Sequence, residues 1–246
     1  MSVKTPALLE LRNAVRFWFQ KLEANSKVCI GVSGGADSLA LAIVAKLEAV
    51  DFNLDLVAVI VDHGLQENSA DVAASTKKKL ESIGYSDIFV GKANVLVTDG
   101  IEASARRARY LVFQQALETY GAKVFLIGHT KNDQAEGVLL GLARGSGTKS
   151  LSGMAEISGP FIRPFLNVDR STTQAACVES GIEYWNDPHN LRAEFTRVRV
   201  RESILPLIEK EIGPGIIDAL SRSAKILRED ATALDEWAER VFGEID

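Results

Sequence analysis

The residues best suited to chemistry stand just after short apolar runs. The first set is Ser33-Gly34-Gly35-Ala36-Asp37-Ser38, directly after Val28-Cys29-Ile30-Gly31-Val32. Two glycines let the backbone turn sharply and approach an anion closely. Two serines add hydroxyl donors. A helix beginning here would add unpaired N–H groups and about half a positive charge. No Gly-Lys-Ser/Thr closes the string and it is not GxGxxG, so it is neither a Walker A loop nor a dinucleotide fingerprint. Asp37 inside such a cradle would repel phosphate unless a cation sits between them, which points to Mg²⁺ bridging to phosphate oxygens. The competing reading is a plain strand-to-helix turn with Asp37 or Ser38 as its cap.

Two further apolar runs end on polar residues. Asp62-His63-Gly64-Leu65 follows residues 54–61, and Gly128-His129-Thr130-Lys131-Asn132-Asp133-Gln134-Ala135-Glu136 follows residues 124–127. His129, Asp133 and Glu136 do not form HExxH, which excludes that metalloprotease motif. Asp133 opens a helix, as its cap or as a second carboxylate near the metal. Residues 101–120 carry Glu102, Arg106, Arg107, Arg109 and Tyr110. Arg106 and Tyr110 share a face at i, i+4. Arg106 and Arg109 either reach phosphates or lie on a solvated face. Arg192, Arg197, Arg199 and Arg201 gather near Asp187-Pro188-His189-Asn190, as a polyanion contact or a salt-bridged helix face.

The elements that must position these residues alternate. Strand-like runs at 28–32, 54–61, 88–90 and 124–127 lack polar alternation. Helical patterns cover 8–24 (Leu8, Leu11, Val15, Trp18 and Leu22 on one face), 38–50, 101–120 and 133–144. Gly121 stands where a helix-ending glycine is expected. Strands buried on both faces and separated by helices imply an α/β fold, doubly wound, with a mostly parallel sheet and helices on both faces. Ligands bind such sheets beyond the carboxyl ends of the strands. From residue 145 glycines and prolines mark loops, then a short helix spans 171–180. Helices at 198–212 and 216–242 are split by Gly213-Pro214-Gly215. The expected division is a nucleotide domain over 1–205 and a C-terminal helical extension over 206–246.

Composition narrows the function classes. Apolar residues make up 46% and charged residues 25%, which excludes a disordered chain. At 246 residues the chain can bury a large core. The balance of 28 Lys+Arg against 33 Asp+Glu, a net charge of −5, argues against a uniformly basic nucleic-acid coat but not against a local basic face. Two distant cysteines and no CxxC argue against zinc ribbons, thioredoxin-like motifs and Cys-ligated clusters. No signal-peptide pattern and no bilayer-length apolar run occur, so the expected location is cytoplasmic.

Taken together, these residues resemble the N-type ATP pyrophosphatase (PP-loop) superfamily, through the strand followed by SGGADS. Within it the chain resembles the tRNA(Ile)-lysidine synthases. The ordered set that carries this runs from SGGADS through Val61-Asp62-His63-Gly64-Leu65, Glu102-Ala103-Ser104-Ala105-Arg106 with Arg109-Tyr110, and Gly128-His129 with Asp133-Gln134-Ala135-Glu136. It continues through Arg144-Gly145-Ser146-Gly147, residues 151–154, Arg163-Pro164-Phe165, Asp187-Pro188-His189-Asn190 and residues 197–206. The chain departs from that family at Asn132, where an aspartate is usual, at Thr130 (histidine) and at Gly137 (threonine). Many relatives continue into further C-terminal tRNA-binding domains.

The resemblance implies ATP and Mg²⁺ as cofactors, and free L-lysine and a tRNA(Ile) with a CAU anticodon as partners. A membrane is not among them, and a homodimer is compatible with the sequence. The implied reaction joins lysine to C2 of the wobble cytidine and releases AMP and pyrophosphate. Ser33, Gly34, Gly35, Ala36, Asp37 and Ser38 are expected to bind ATP. Asp37 and Asp133 are expected at the metal, Asp37, Arg106, His129 and Asp133 in catalysis, and Arg197, Arg199 and Arg201 against RNA. The general base is left among His129, Asp133 and Glu136. The alternatives are another PP-loop enzyme (a tRNA thiolase or an amidating synthetase) and a non-catalytic nucleotide- or tRNA-binding protein.

Overall fold

A computed structural model describes residues 5–62, 64, 69–93, 100–185 and 196–243. The chain divides into two compact units, Met1–His129 with Glu156–Asn186, and Thr130–Ala155 with Asp187–Asp246.

The first unit holds a six-stranded sheet in the order β3-β2-β1-β4-β6-β5. Its strands are β1 (Lys27–Gly31), β2 (Asp55–Asp62), β3 (Asp87–Lys92), β4 (Val124–Leu126), β5 (Ile157–Ser158) and β6 (Phe161–Ile162). All neighbours pair parallel except β5 with β6. Successive residues of β1 point to opposite faces, as the period of two requires. Val28 and Ile30 join one apolar cluster, with Leu56, Ala58 and Ile60 of β2. That cluster takes the buried sides of α1 (Pro6–Phe19), α2 (Ala36–Phe52), α3 (Ser69–Ile83) and α7 (Arg170–Glu179). Cys29 joins the other cluster, where Val112, Phe113 and Ala116 of α4 (Ile101–Tyr120) cover Val57, Val59, Phe125 and Phe161. Helices therefore cover both faces of a mostly parallel sheet, as expected.

Glu48 of α2 is fully buried and is ion-paired with Arg12 and Arg16 of α1. This ties two helices on one face together. α1 ends at Phe19, earlier than the periodicity to residue 24 suggests. Lys21 and Leu22 donate only three-residue bonds, and Asn25 adopts φ 64°, which turns the chain towards β1. α4 ends as expected on Gly121 at φ 63°.

α3 and the β5–β6 hairpin of this unit escape the sequence pattern. α3 buries only Ala73, Thr76 and Leu80 fully, with Ile83 part-buried against the core, too thin a stripe to stand out. The β5–β6 hairpin has two-residue strands around Gly159-Pro160, so its glycine and proline dominate the local signal.

The second unit is helical. It contains α5 (Lys131–Ala143), the short α6 (Thr148–Leu151), and a run from Thr196 to Glu211 made of α8 (Thr196–Arg199), a π turn (Val200–Ile204) and α9 (Leu205–Glu211). The last helix is α10 (Ile216–Gly243). Ala135, Val200 and Leu205 form its small core, flanked by Leu139, Ile217 and Leu220. Gly213 and Gly215 both take positive φ, and Glu209 accepts the N–H groups of Gly215 and Ile216 at 2.7 and 3.3 Å. The break before α10 thus carries its own acidic cap, satisfying donors that a helix start leaves open.

Candidate active site

In the first unit strand order reverses between β1 and β4, since β2 and β3 lie on one side of β1 and β4 on the other. That is where an open α/β sheet offers its ligand crevice. The loop from Ser33 to Gly35 leaves β1 at this point and α2 starts at Ala36. The loop is already ordered by its own bonds. Ser33 N–H donates to Ser38 Oγ at 3.0 Å, and Ser38 Oγ donates to Gly35 O at 3.0 Å. The Ser33 and Ser38 hydroxyls lie 3.1 Å apart.

Gly34 needs to be glycine twice over. Its φ is +87°, and an added Cβ would fall 2.5 Å from Thr76 Oγ1. Gly35 caps α2 from the extended region without any side-chain capping bond. The first-turn N–H groups are therefore not taken by a side-chain cap, and the turn suits an anion. Gly128 closes the other side. A Cβ there would stand 2.8 Å from Asp37 O, so the exit of β4 packs backbone to backbone on the start of α2.

Asp37 is held from α7. Thr173 Oγ1 bonds its Oδ1, and Arg170 Nε lies 3.3 Å from its Oδ2. His129 follows Gly128 at the same carboxyl edge, its N–H bonded to Ile127 O at 3.0 Å. Arg106 of α4 stacks over the Tyr110 ring and donates to its hydroxyl at 3.3 Å, as the i, i+4 spacing allows. The same hydroxyl receives a bond of 3.3 Å from Arg163. Arg163, only 5% exposed, leaves the carboxyl end of β6. Arg163-Pro164-Phe165 belongs to the ordered set that carries the family resemblance, but the sequence assigns Arg163 no role of its own. Locally it is a cation directly after an apolar pair in a glycine- and proline-rich stretch.

Asp133 and the arginines belong to the second unit. Asp133 Oδ2 accepts from Thr130 N–H and Thr130 Oγ1 at 2.8 and 2.9 Å, which is a capping box at the start of α5. Glu136, with no exposed side-chain surface, receives Arg197 Nε at 2.9 Å and Arg201 through Nε at 2.6 Å and a terminal nitrogen at 3.0 Å. Asp133 Oδ1 lies 3.5 Å from Arg201 and 3.8 Å from Arg197. Two of the three arginines expected against RNA are thus committed to an internal ion cluster. Arg199 is exposed and donates to Thr196 Oγ1 at 3.0 Å. His63, Leu65, Asp187 to Asn190 and Arg192 lie outside the described residues, as does the Glu102 side chain.

No group of three or more potential metal-ligating side chains exists among the described residues. Both cysteines are buried. Burial pushes the Cys29 thiol up to about 11 and the Cys177 thiol up to about 12, with Asp37 adding to the second. The thiolate is the reactive form, so neither is a nucleophile at neutral pH. Alkylation of the native protein by iodoacetamide, followed by mass, is expected to be slow near pH 7. It should quicken as pH rises towards those values or on unfolding. Rapid native labelling at pH 7 would contradict this.

No helix among the described residues is long and apolar enough to cross a membrane. The glycine-containing loop at the switch point and the sheet around it fit a PP-loop protein, a class that uses ATP. The PP-loop domain family matches residues 9–208. Named tRNA(Ile)-lysidine synthases are similar over most of this chain. That of Leifsonia xyli subsp. xyli is 48% identical over 88% of this chain and 65% of its own. Those of Thermobifida fusca (45% identity) and Rhodococcus erythropolis (48%) are covered over 74% and 71% of their lengths, with 98% and 97% of this chain matched. This chain therefore belongs to the tRNA(Ile)-lysidine synthase family of PP-loop enzymes. It spans about two thirds to three quarters of these relatives' lengths. The solved U34-tRNA thiolase NcsA of Methanococcus maripaludis, with its 4Fe-4S cluster, shares the fold. Its TM-score is 0.76 at 20% identity, over 92% of this chain and 81% of that one.

Proposed function

We propose that this chain attaches lysine to C2 of the wobble cytidine in the CAU anticodon of tRNA(Ile), using ATP. The observation that carries the reading is the Ser33–Ser38 loop, ordered at the switch point of the sheet with an uncapped helix start behind it. The names of relatives up to 48% identical supply the substrate class.

In this reading Ser33, Gly34, Gly35, Ala36 and Ser38 hold the pyrophosphate end of ATP. Asp37 is the protein ligand to Mg²⁺, which would neutralise phosphate charge there. The carboxylate of Asp133 already serves its cap and the arginine pair, so we leave it out of the metal set. O2 of the cytidine attacks the α-phosphorus, and pyrophosphate leaves. Charge grows on the phosphoryl oxygens, and preorganised cations or donors such as Arg106 and His129 stabilise it. The lysine amine then attacks C2, and AMP departs with the former O2. The attacking nitrogen must first be unprotonated, against a free pKa of about 10.4. Asp133 and Glu136 are bonded within the second unit, and we assign the acceptor role to His129, which follows Gly128 at the carboxyl edge of the sheet.

Arg199 is the exposed arginine we assign to tRNA phosphate. Each such contact on a single strand steepens the log–log salt dependence by about 0.7. A thiolase reading would need reactive or cluster-binding cysteines, and both thiols here are buried.

The test is pyrophosphate release with ATP and lysine, comparing isoleucine and methionine CAU tRNAs. Release is expected with the isoleucine tRNA only. Asp37→Ala should lower it by about 10²-fold or more, the scale of losing one preorganised electrostatic partner. No release with either tRNA, or full release from Asp37→Ala, would overturn the reading.

A further inference from the structure

One face of α7 lies along the start of α2. Arg170, Thr173 and Cys177 are spaced i, i+3, i+7, so they project to the same side. Each meets the first turn of α2. Cys177 Sγ contacts Ala36 O at 3.4 Å, and Thr173 and Arg170 take the two oxygens of Asp37. Beyond the helix, Trp185 N–H donates to Gly34 O at 2.9 Å. The segment from 170 to 185 thus grips the phosphate loop at Gly34, Ala36 and Asp37.

Thr173 is fully buried. Its single hydroxyl proton faces two acceptors, Asp37 Oδ1 and, at 2.7 Å, Arg170 O. The carboxylate is charged and is the stronger acceptor. A buried hydroxyl that packs only as a methyl-bearing wedge would need just the local carbonyl bond. Here it is aimed at a carboxylate 136 residues away in sequence. Arg170 lies against the other oxygen, and an ionised carboxylate has about four lone-pair sites in all.

We propose that Thr173, with Arg170 across the same carboxylate, is a positioning residue that sets the Asp37 side chain for a nucleotide-bound divalent cation. Neither residue need touch the nucleotide. Their work is to hold one rotamer of Asp37 so that no ordering is left to be done when Mg²⁺·ATP arrives. Such outer-shell partners typically change metal affinity by about 10- to 100-fold when removed. The inference rests on Asp37 being a ligand to nucleotide-bound Mg²⁺, as proposed above.

The experiment is calorimetric ATP binding to the whole chain, with Mg²⁺ and with EDTA, for the wild type, Thr173→Val and Thr173→Ser. Valine keeps the shape and removes the hydroxyl. The Mg²⁺-dependent gain in ATP affinity is expected to fall by about tenfold or more in Thr173→Val. Affinity in EDTA should hold, and Thr173→Ser should restore the gain. In an Asp37→Asn background, Thr173→Val should add no further loss. A folded Thr173→Val protein with the wild-type Mg²⁺ dependence overturns the proposal. So does an equal loss in EDTA, which would mark a packing role. Should valine prevent folding, Thr173→Cys, close in size but a weak donor, replaces it with the same expected loss. A wild type whose ATP binding ignores Mg²⁺ would instead overturn the metal reading of Asp37 itself.

Discussion

Replacing Glu136 by alanine is expected to destabilise the helical unit by about 3 kcal/mol, the lower end for breaking a buried ion pair by deleting one partner. The sign follows from burial. Glu136 has no exposed side-chain surface, while Arg197 and Arg201 retain 31% and 25% of theirs. Removing the carboxylate leaves two guanidinium groups facing a dry position, with Asp133 Oδ1 3.5 Å from Arg201 and 3.8 Å from Arg197. Partial solvation of the arginines holds the cost below the full buried value. In a chain of this size that loss lowers the melting temperature by about 6–12 °C. Glu136→Gln keeps the volume and an acceptor oxygen, so its loss should be smaller. Lys225, at 71% exposure beside Glu229, is the control, because exposed pairs contribute little. Equal melting temperatures for Glu136→Ala and Lys225→Ala would refute this view of the cluster.

The same cluster shows where sequence reading stops. Arg197 and Arg201 stood out as a basic group on an acidic chain, and their type and proximity suit phosphate as well as carboxylate. The structure pairs both with a carboxylate 61 and 65 residues earlier, on a different helix. No local pattern carries that pairing. Asp37 repeats the lesson, since its partners Arg170 and Thr173 are 133 and 136 residues away. Local features were legible. The apolar run of β1, the glycines after it and the helix beyond are contiguous, so the strand, loop and helix around Ser33–Ser38 are legible locally, whereas the loop's place at the switch point depends on the order of β1, β2 and β4. α4 was legible too, because it is long and ends on glycine. α3 was not, for it buries only Ala73, Thr76 and Leu80 fully, with Ile83 part-buried against the same core. The compact units are also discontinuous in sequence, each made of two segments. The change of texture near residue 145 does not mark the exchanges of segment that follow residues 129, 155 and 186.

Gly128→Ala is expected to damage nucleotide binding more than a surface change of one methyl group suggests. Gly128 does not have a positive φ, so alanine meets no intrinsic backbone strain there. The penalty is purely steric. The new methyl would stand 2.8 Å from Asp37 O, 3.1 Å from Asp37 C and 3.3 Å from Ser38 Cα. These are backbone atoms of the first turn of α2 and cannot rotate aside as a side chain can. The helix start must shift, and it carries the N–H groups and the carboxylate of the proposed nucleotide site. Overpacking of this kind costs about 1–3 kcal/mol in stability. The larger effect falls on function, because misplacement by about 1 Å in a positioned site can cost about 10²-fold in rate. Gly34→Ala separates the two causes, as it adds left-handed strain at φ +87° to a contact with a side-chain oxygen. Calorimetric ATP affinity, pyrophosphate release and a melting curve for Gly128→Ala test the argument. Reduced release in a protein that still melts cooperatively is the expected result. Wild-type affinity and release would mean that β4 can move away from α2 at no cost, and that the close approach does not set the loop.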